Sequence, residues 1–128
     1  MYIFENDTTG KKIVACLKNA VKRNVQIYIL LDGFGSNSFP KSFFTYLRNE
    51  GIHVRFFSPL FSANSFYISR RLHQKVVVSD SKTLLIGGIN IANKYEGNSF
   101  ETAWLDYAIE IQCEIAGVIQ ELCKATFF

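Results

Sequence analysis

Two β-rich apolar segments, residues 72–78 and 83–87, are separated only by Ser79-Asp80-Ser81-Lys82. Four polar residues cannot carry a crossover connection, so the pair predicts an antiparallel hairpin with a tight turn. This constrains the chain more than any other stretch. One strand presents His73 and Lys75, and the end of the next presents Gly87-Gly88, with Asn90 just beyond. On a strand, positions 73 and 75 share a face. Burying a histidine and a lysine together on an apolar face without a task would be costly.

These residue types share one chemistry, the handling of a phosphodiester. Its negative charge must be held before anything attacks it, and Lys75 supplies positive charge and donor hydrogens. Asn90 can donate amide hydrogens to a phosphoryl oxygen. Gly87 and Gly88 allow backbone N–H groups to come close to an oxyanion. Neutral His73 carries a ring lone pair that can attack phosphorus and form a covalent phosphohistidine. Asp80 falls in the turn, where a carboxylate commonly holds backbone N–H groups.

The rest of the chain predicts alternating helices and strands. Thr8 and Thr9 are candidate caps for a helix over 10–23, with Ile13, Leu17, Ala20 and Val21 as its buried stripe. Residues 25–31 read as a covered strand. Asp32-Gly33-Phe34-Gly35-Ser36 follows as a structural turn near the mouth of the site. Pro40 and Gly51 bracket a second helix with an apolar side of Phe43, Phe44 and Leu47, packed into the core. Residues 52–57 read as a strand with His53 and Arg55 on its outer face. Residues 58–67 read as irregular and 90–95 as a short helix or turn. Residues 104–111 read as a last strand and 114–125 as a closing helix. The order predicts an α/β sandwich with a mixed central sheet and helices on both faces.

Size and charge narrow the function. At 128 residues the chain is one domain, 1–128, and its abrupt ends suggest a piece truncated at both. A net charge of +3 with scattered basic residues lacks the dense stripe of a nucleic-acid binder. Cys16, Cys113 and Cys123 lack paired spacing, so buried, reduced thiols are expected rather than a disulfide framework or a zinc site. No metal or other cofactor is expected. The chain shows no signal peptide and no transmembrane run, so any membrane contact is expected to be peripheral or made by segments outside this chain.

His73, Lys75, Asp80, Gly87, Gly88 and Asn90 together resemble the HKD signature of the phospholipase D superfamily. Tyr2-Ile3-Phe4, the 32–36 loop, Gly88-Ile89-Asn90-Ile91-Ala92 and Trp104-Leu105-Asp106 are similar to one catalytic half of bacterial cardiolipin synthases and related phosphatidyltransferases. Gln74 and Leu105 depart from that pattern, each standing where a basic residue is usual. The resemblance implies that Asp80 joins His73 and Lys75 as catalytic residues, and that Lys75, Gly87, Gly88 and Asn90 bind phosphate. It makes Asp106 the candidate to orient His73, with Glu101 as substitute and Glu96 third. It implies a second motif, from a missing half or a homodimer, and an apolar motif-bearing face for that partner to cover. The expected substrate is a phosphatidylglycerol-like phospholipid, met at the cytoplasmic face of the membrane by the full-length protein. The alternatives are a homodimeric phosphodiesterase or nuclease, for which nucleic acid becomes the partner, and an inactive phosphate-binding half-domain.

Overall fold

Both early helices close in the same way, and this sets where the first strands begin. The structure is a computed structural model that describes residues 1–58 and 71–128. Helix α1 spans Thr8–Val21. It is capped by Asp7, not by a threonine: the Asp7 side chain accepts from the Gly10 N–H at 2.9 Å. At its other end Asn24 takes a left-handed φ of 64°, and the Val25 N–H donates to the Ala20 carbonyl at 3.1 Å. This is a Schellman closure. It consumes residues expected in the strand, so β1 is only Tyr28–Asp32. Helix α2, Lys41–Asn49, ends on Gly51 at φ 82°, with the Ile52 N–H bonded to the Leu47 carbonyl. Strand β2, His53–Phe57, then pairs in parallel with β1, completing a βαβ unit.

The predicted hairpin forms β3, Lys75–Ser79, and β4, Thr83–Gly87. Asp80 and Ser81 both have positive φ at its turn, and the Lys82 N–H closes it onto the Ser79 carbonyl at 3.0 Å. Helix α3, Asn93–Glu96, is short. Strand β5, Ala108–Gln112, pairs antiparallel with β4, and helix α4, Ile115–Phe127, packs on β3 and β4. Strand β5 starts later than expected because the Tyr107 N–H is taken by the Asp106 carboxylate at 2.7 Å. That donor cannot extend the ladder.

The α/β class holds, with parallel and antiparallel pairing both present. The strands form two sheets, β1–β2 and β3–β4–β5, in place of one continuous mixed sheet. Residues 1–5 stitch them together. Met1 accepts from the Asp32 N–H on one side, while Ile3 and Glu5 exchange backbone bonds with Ile91 on the other. Phe4, 1% exposed, enters the core between them.

That core is built from Phe4, Val14, Leu31, Phe39, Leu47, Ile52 and Val54, with Phe43 and Phe44 packed against it. Val14 takes the place expected for Ile13, which is 37% exposed. His53 lies on the surface, stacked on Tyr28. The three cysteines are unpaired but exposed, contrary to the buried thiols expected. No helix among the described residues is long and apolar enough to cross a membrane. Beyond Ser58, the irregular stretch expected over 58–67 lies outside the described residues.

Candidate active site

The local sequence places His73 just before β3, not within it. The Leu72 N–H donates to the Asp32 carboxylate at 2.7 Å instead of to a neighbouring strand. The next two residues therefore run as connecting chain, and the ladder starts at Lys75. The pair stays together even so. Lys75 Nζ donates to the His73 carbonyl at 2.8 Å and lies 3.2 Å from His73 Nδ1. With Lys75 as an ammonium, Nδ1 must accept, and the proton of the neutral ring sits on Nε2. His73 is exposed, whereas Lys75 is 9% exposed. Burial pulls the Lys75 ammonium below its ordinary 10.5, and the nearby Asp106 charge partly opposes this.

Tyr2 forms the floor of the pair. Its ring lies 4.5 Å from the His73 ring, and Lys75 Nζ stands 5.2 Å from the Tyr2 ring centroid. The second contact is a cation–π arrangement.

The glycine pair meets chain, not open space. A Cβ on Gly87 would stand 2.2 Å from the Tyr107 carbonyl, and one on Gly88 would stand 2.1 Å from Asp106 Oδ1. The Gly88 N–H already donates to the Tyr107 carbonyl at 2.9 Å. Its expected oxyanion donor is thus occupied, and the missing side chains admit residues 106–108. Asn90 is similarly engaged. Its Nδ2 donates to the Tyr95 hydroxyl at 2.7 Å, and its Oδ1 accepts from the Ile3 N–H at 3.0 Å. At 5% exposed it ties residues 1–5 to the end of β4, and the hydrogens expected for phosphate are turned inward.

The carboxylates separate into different places. Asp80 lies at the far end of the hairpin, about 16 Å along the strand from Lys75. It is exposed and within 3.3 Å of the Ser79 hydroxyl. Asp106 covers Gly88 and acts on Lys75 through its charge, but no hydrogen bond joins it to His73 among the described residues. Glu101 is exposed in a turn closed by Asn98, which accepts its N–H at 3.0 Å. Glu96 is held by Lys12 and Thr9, each at 2.5 Å, and those two partners lower its pKa. Among the described residues, no group of three or more His, Cys, Asp or Glu side chains could hold a metal ion.

Sequence reasoning missed two residues. Tyr2 figures in the sequence only as part of the family resemblance and with no role, because its ring partners, His73 and Lys75, lie more than 70 positions away. Asp32 was legible as a turn residue, since its Oδ1 accepts from the Phe34 and Gly35 N–H groups, both at 2.9 Å. Its bond to Leu72 was not legible.

The motif-bearing face was also expected to be apolar. Residues opposite one another on paired strands share a face. Val77 and Leu85, on the Lys75 face, are 51% and 42% exposed, leaving an apolar surface beside the lysine.

Comparison with known proteins supplies a frame for this geometry. Residues 1–123 match the family described as "Cardiolipin synthase, PLD-like domain". The chain is 35% identical over 121 residues to the major cardiolipin synthase ClsA of Bacillus subtilis (strain 168), covering 93% of this chain and 25% of that protein. It is 32% identical over 122 residues to cardiolipin synthase A of Pseudomonas putida (strain W619), covering 94% and 26%. To cardiolipin synthase B of Shigella flexneri it is 32% identical over 114 residues, covering 87% and 27%. The chain thus spans about a quarter of the length of the curated relatives it matches.

Proposed function

The chain belongs to the family of phospholipase D-like domains of cardiolipin synthases, and from that premise we propose that it is one catalytic half of a phosphatidyltransferase. Residues 1–128 are that half-domain. The observation that carries the reading is the contact of Lys75 Nζ with both the His73 carbonyl and the His73 ring. It makes a nucleophile and a cation one site, open on the histidine side.

A phosphodiester oxygen is a better acceptor for Lys75 than a neutral imidazole, because the bond is assisted by charge on both sides. Bound substrate draws the ammonium toward itself and releases the ring. The imidazole lone pair then attacks phosphorus, and the bond from phosphorus to the leaving alkoxide breaks. That alkoxide takes a proton from an acid, and one histidine cannot be both nucleophile and acid in the same step. The second motif, from another half or another copy, supplies the acid. An acceptor alcohol next gives up its proton to that same group, attacks the phosphohistidine and restores free His73. Asp106 maintains the charge balance around Lys75. Asp80 serves the hairpin turn, and Gly87, Gly88 and Asn90 build the wall behind the phosphate.

The substrate class follows from the family and fits the modest charge. With +3 net and no basic stripe, polynucleotide binding should be weak at physiological salt. Contact with the bilayer is peripheral. The test is to sediment the protein across a concentration range, then assay each state on phosphatidylglycerol vesicles and on plasmid DNA. Turnover of lipid by an assembled state, with an acid-labile phosphoryl adduct lost in His73→Ala, is expected. A stable dimer that cuts plasmid and ignores lipid would replace this reading with the nuclease. A monomer fully active on lipid would refute the need for a second motif. Phosphate binding without turnover in every state would leave the inactive half-domain.

A further inference from the structure

The Asp32 carboxylate is fully buried and lies 40 residues from its most distant partner. Three backbone N–H groups converge on it. Two, from Phe34 and Gly35, belong to its own turn, and the third belongs to Leu72, the residue before His73. A turn needs the first two donors only. The third fixes the backbone from which the histidine projects.

The same turn controls the ring from beneath. A Cβ on Gly35 would stand 2.5 Å from the Tyr2 carbonyl and 2.8 Å from the Tyr2 ring. The Ser36 hydroxyl donates to the Tyr2 carbonyl at 2.9 Å and accepts from the Phe4 N–H at 3.2 Å. Gly35 therefore makes room for Tyr2, Ser36 clips its backbone, and the ring so placed lies against His73 and Lys75. Backbone and ring of His73 are thus both fixed by one five-residue turn.

We infer that Asp32 and Tyr2 are the positioning residues of His73, acting as a clamp in which Asp32 holds the Leu72 backbone and Tyr2 holds the imidazole plane. This rests on the reading of His73 as nucleophile for its importance to turnover, but its geometry can be measured without turnover. Both residues act through His73: Asp32 through the neighbouring backbone and Tyr2 through packing on the ring. Asn at position 32 can still serve the two turn donors through Oδ1, but it turns an amide donor toward the Leu72 N–H. The substitution therefore breaks the link to His73 selectively.

The chain has two histidines, His53 and His73, and His53 stacks on Tyr28, so it serves as an internal control. The experiment is nitrogen NMR of the histidine-labelled chain. In the parent protein, the His73 ring should show a single tautomer with its proton on Nε2. In Asp32→Asn and in Tyr2→Leu, both ring nitrogens of His73 should move toward averaged positions, with His53 unchanged. In the assembled enzyme, kcat should fall about 100-fold, as for a misplaced catalytic group, with KM little changed. Unchanged His73 signals in a folded Asp32→Asn would overturn the clamp. If that variant does not fold, Tyr2→Leu decides alone by the same criterion. The expected shifts in a protein that proves inactive on lipid would keep the clamp and refute the phosphatidyltransferase reading instead.

Discussion

The two halves of the molecule solve different problems. The β1–α2–β2 half, with α1 and residues 1–5, gathers the aromatic and aliphatic side chains into one cluster, and Leu31 and Leu47 are completely buried. The β3–β4–β5 half carries His73 at its entrance, Lys75 and the glycine pair, yet leaves Val77, Leu85, Ile86 and Ile109 between 38% and 63% exposed. Helix α4 repeats this on its outer stripe, with Ile115, Val118 and Leu122 all more than half exposed. One half supplies stability, and the other lends a lightly covered surface to chemistry. The site sits where they meet, so the well-packed half holds the reactive one in place.

The strongest attack on that contrast is a cavity in the first half. Leu47→Ala should cost about 2–5 kcal/mol of unfolding free energy by chemical denaturation. A value near zero would show that the cluster is not the stabilising centre. In the second half the largest effect should come from Gly87→Ala, about 1–3 kcal/mol, because the new methyl group meets backbone at Tyr107 and Ala108. Gly88→Ala should cost less, since the nearest atoms it meets belong to the exposed Asp106 side chain, which can swing away. Hydrogen exchange at the Gly88 amide, normally bonded to Tyr107, would report any opening there. Equal costs for the two glycines would contradict the distinction.

A smaller effect concerns pH. The pKa of Lys75 is lowered by burial, so the native state releases this proton before the unfolded chain does. Between the lowered value and 10.5 the unfolded state binds more protons, and stability should rise with pH across that window. Lys75→Met should remove this contribution to the slope, measured as the difference between the two proteins' stability curves. The smallest effect should be Val77→Ala or Leu85→Ala, within about 0.5 kcal/mol in the isolated chain. A larger loss in an assembled state than in the monomer would show that a partner covers this face.

What could be read before the structure was what is local. The hairpin emerged because two apolar runs flank a four-residue polar turn, and a tight turn fixes register. Helix α2 emerged because Pro40 and Gly51 bracket it. His73 and Lys75 were named from spacing and lie together, although shared strand geometry is not what unites them. The misses are contacts across long separations. Gly88 and Asn90 look like phosphate donors in one dimension, and only the fold shows the Tyr107 carbonyl taking the Gly88 N–H and the Tyr95 hydroxyl taking the Asn90 amide hydrogens. Asp106 looked like the partner of His73, yet its carboxylate faces the next residue's N–H and the glycine slot. Composition does not reveal which of two acceptors a donor will choose.

Residues 1–5 also impose an order of events in time. Ile3 bonds to Asn90, 87 positions later, whereas Phe4 meets Ser36 and Phe39 much nearer in the chain. A ribosome adding about 5–20 residues per second needs roughly 4–17 s to span that distance. During that interval β1 and β2 can pair and residues 1–4 can dock on Asp32 and Ser36, while the Ile3 and Glu5 N–H groups wait for Asn90 and Ile91. Chains arrested just before residue 90 should therefore exchange the Ile3 and Glu5 amide hydrogens freely, and chains extended past 95 should protect them. Residues 1–5 are thus locked in two stages, first against the 32–36 turn and then against Asn90 and Ile91.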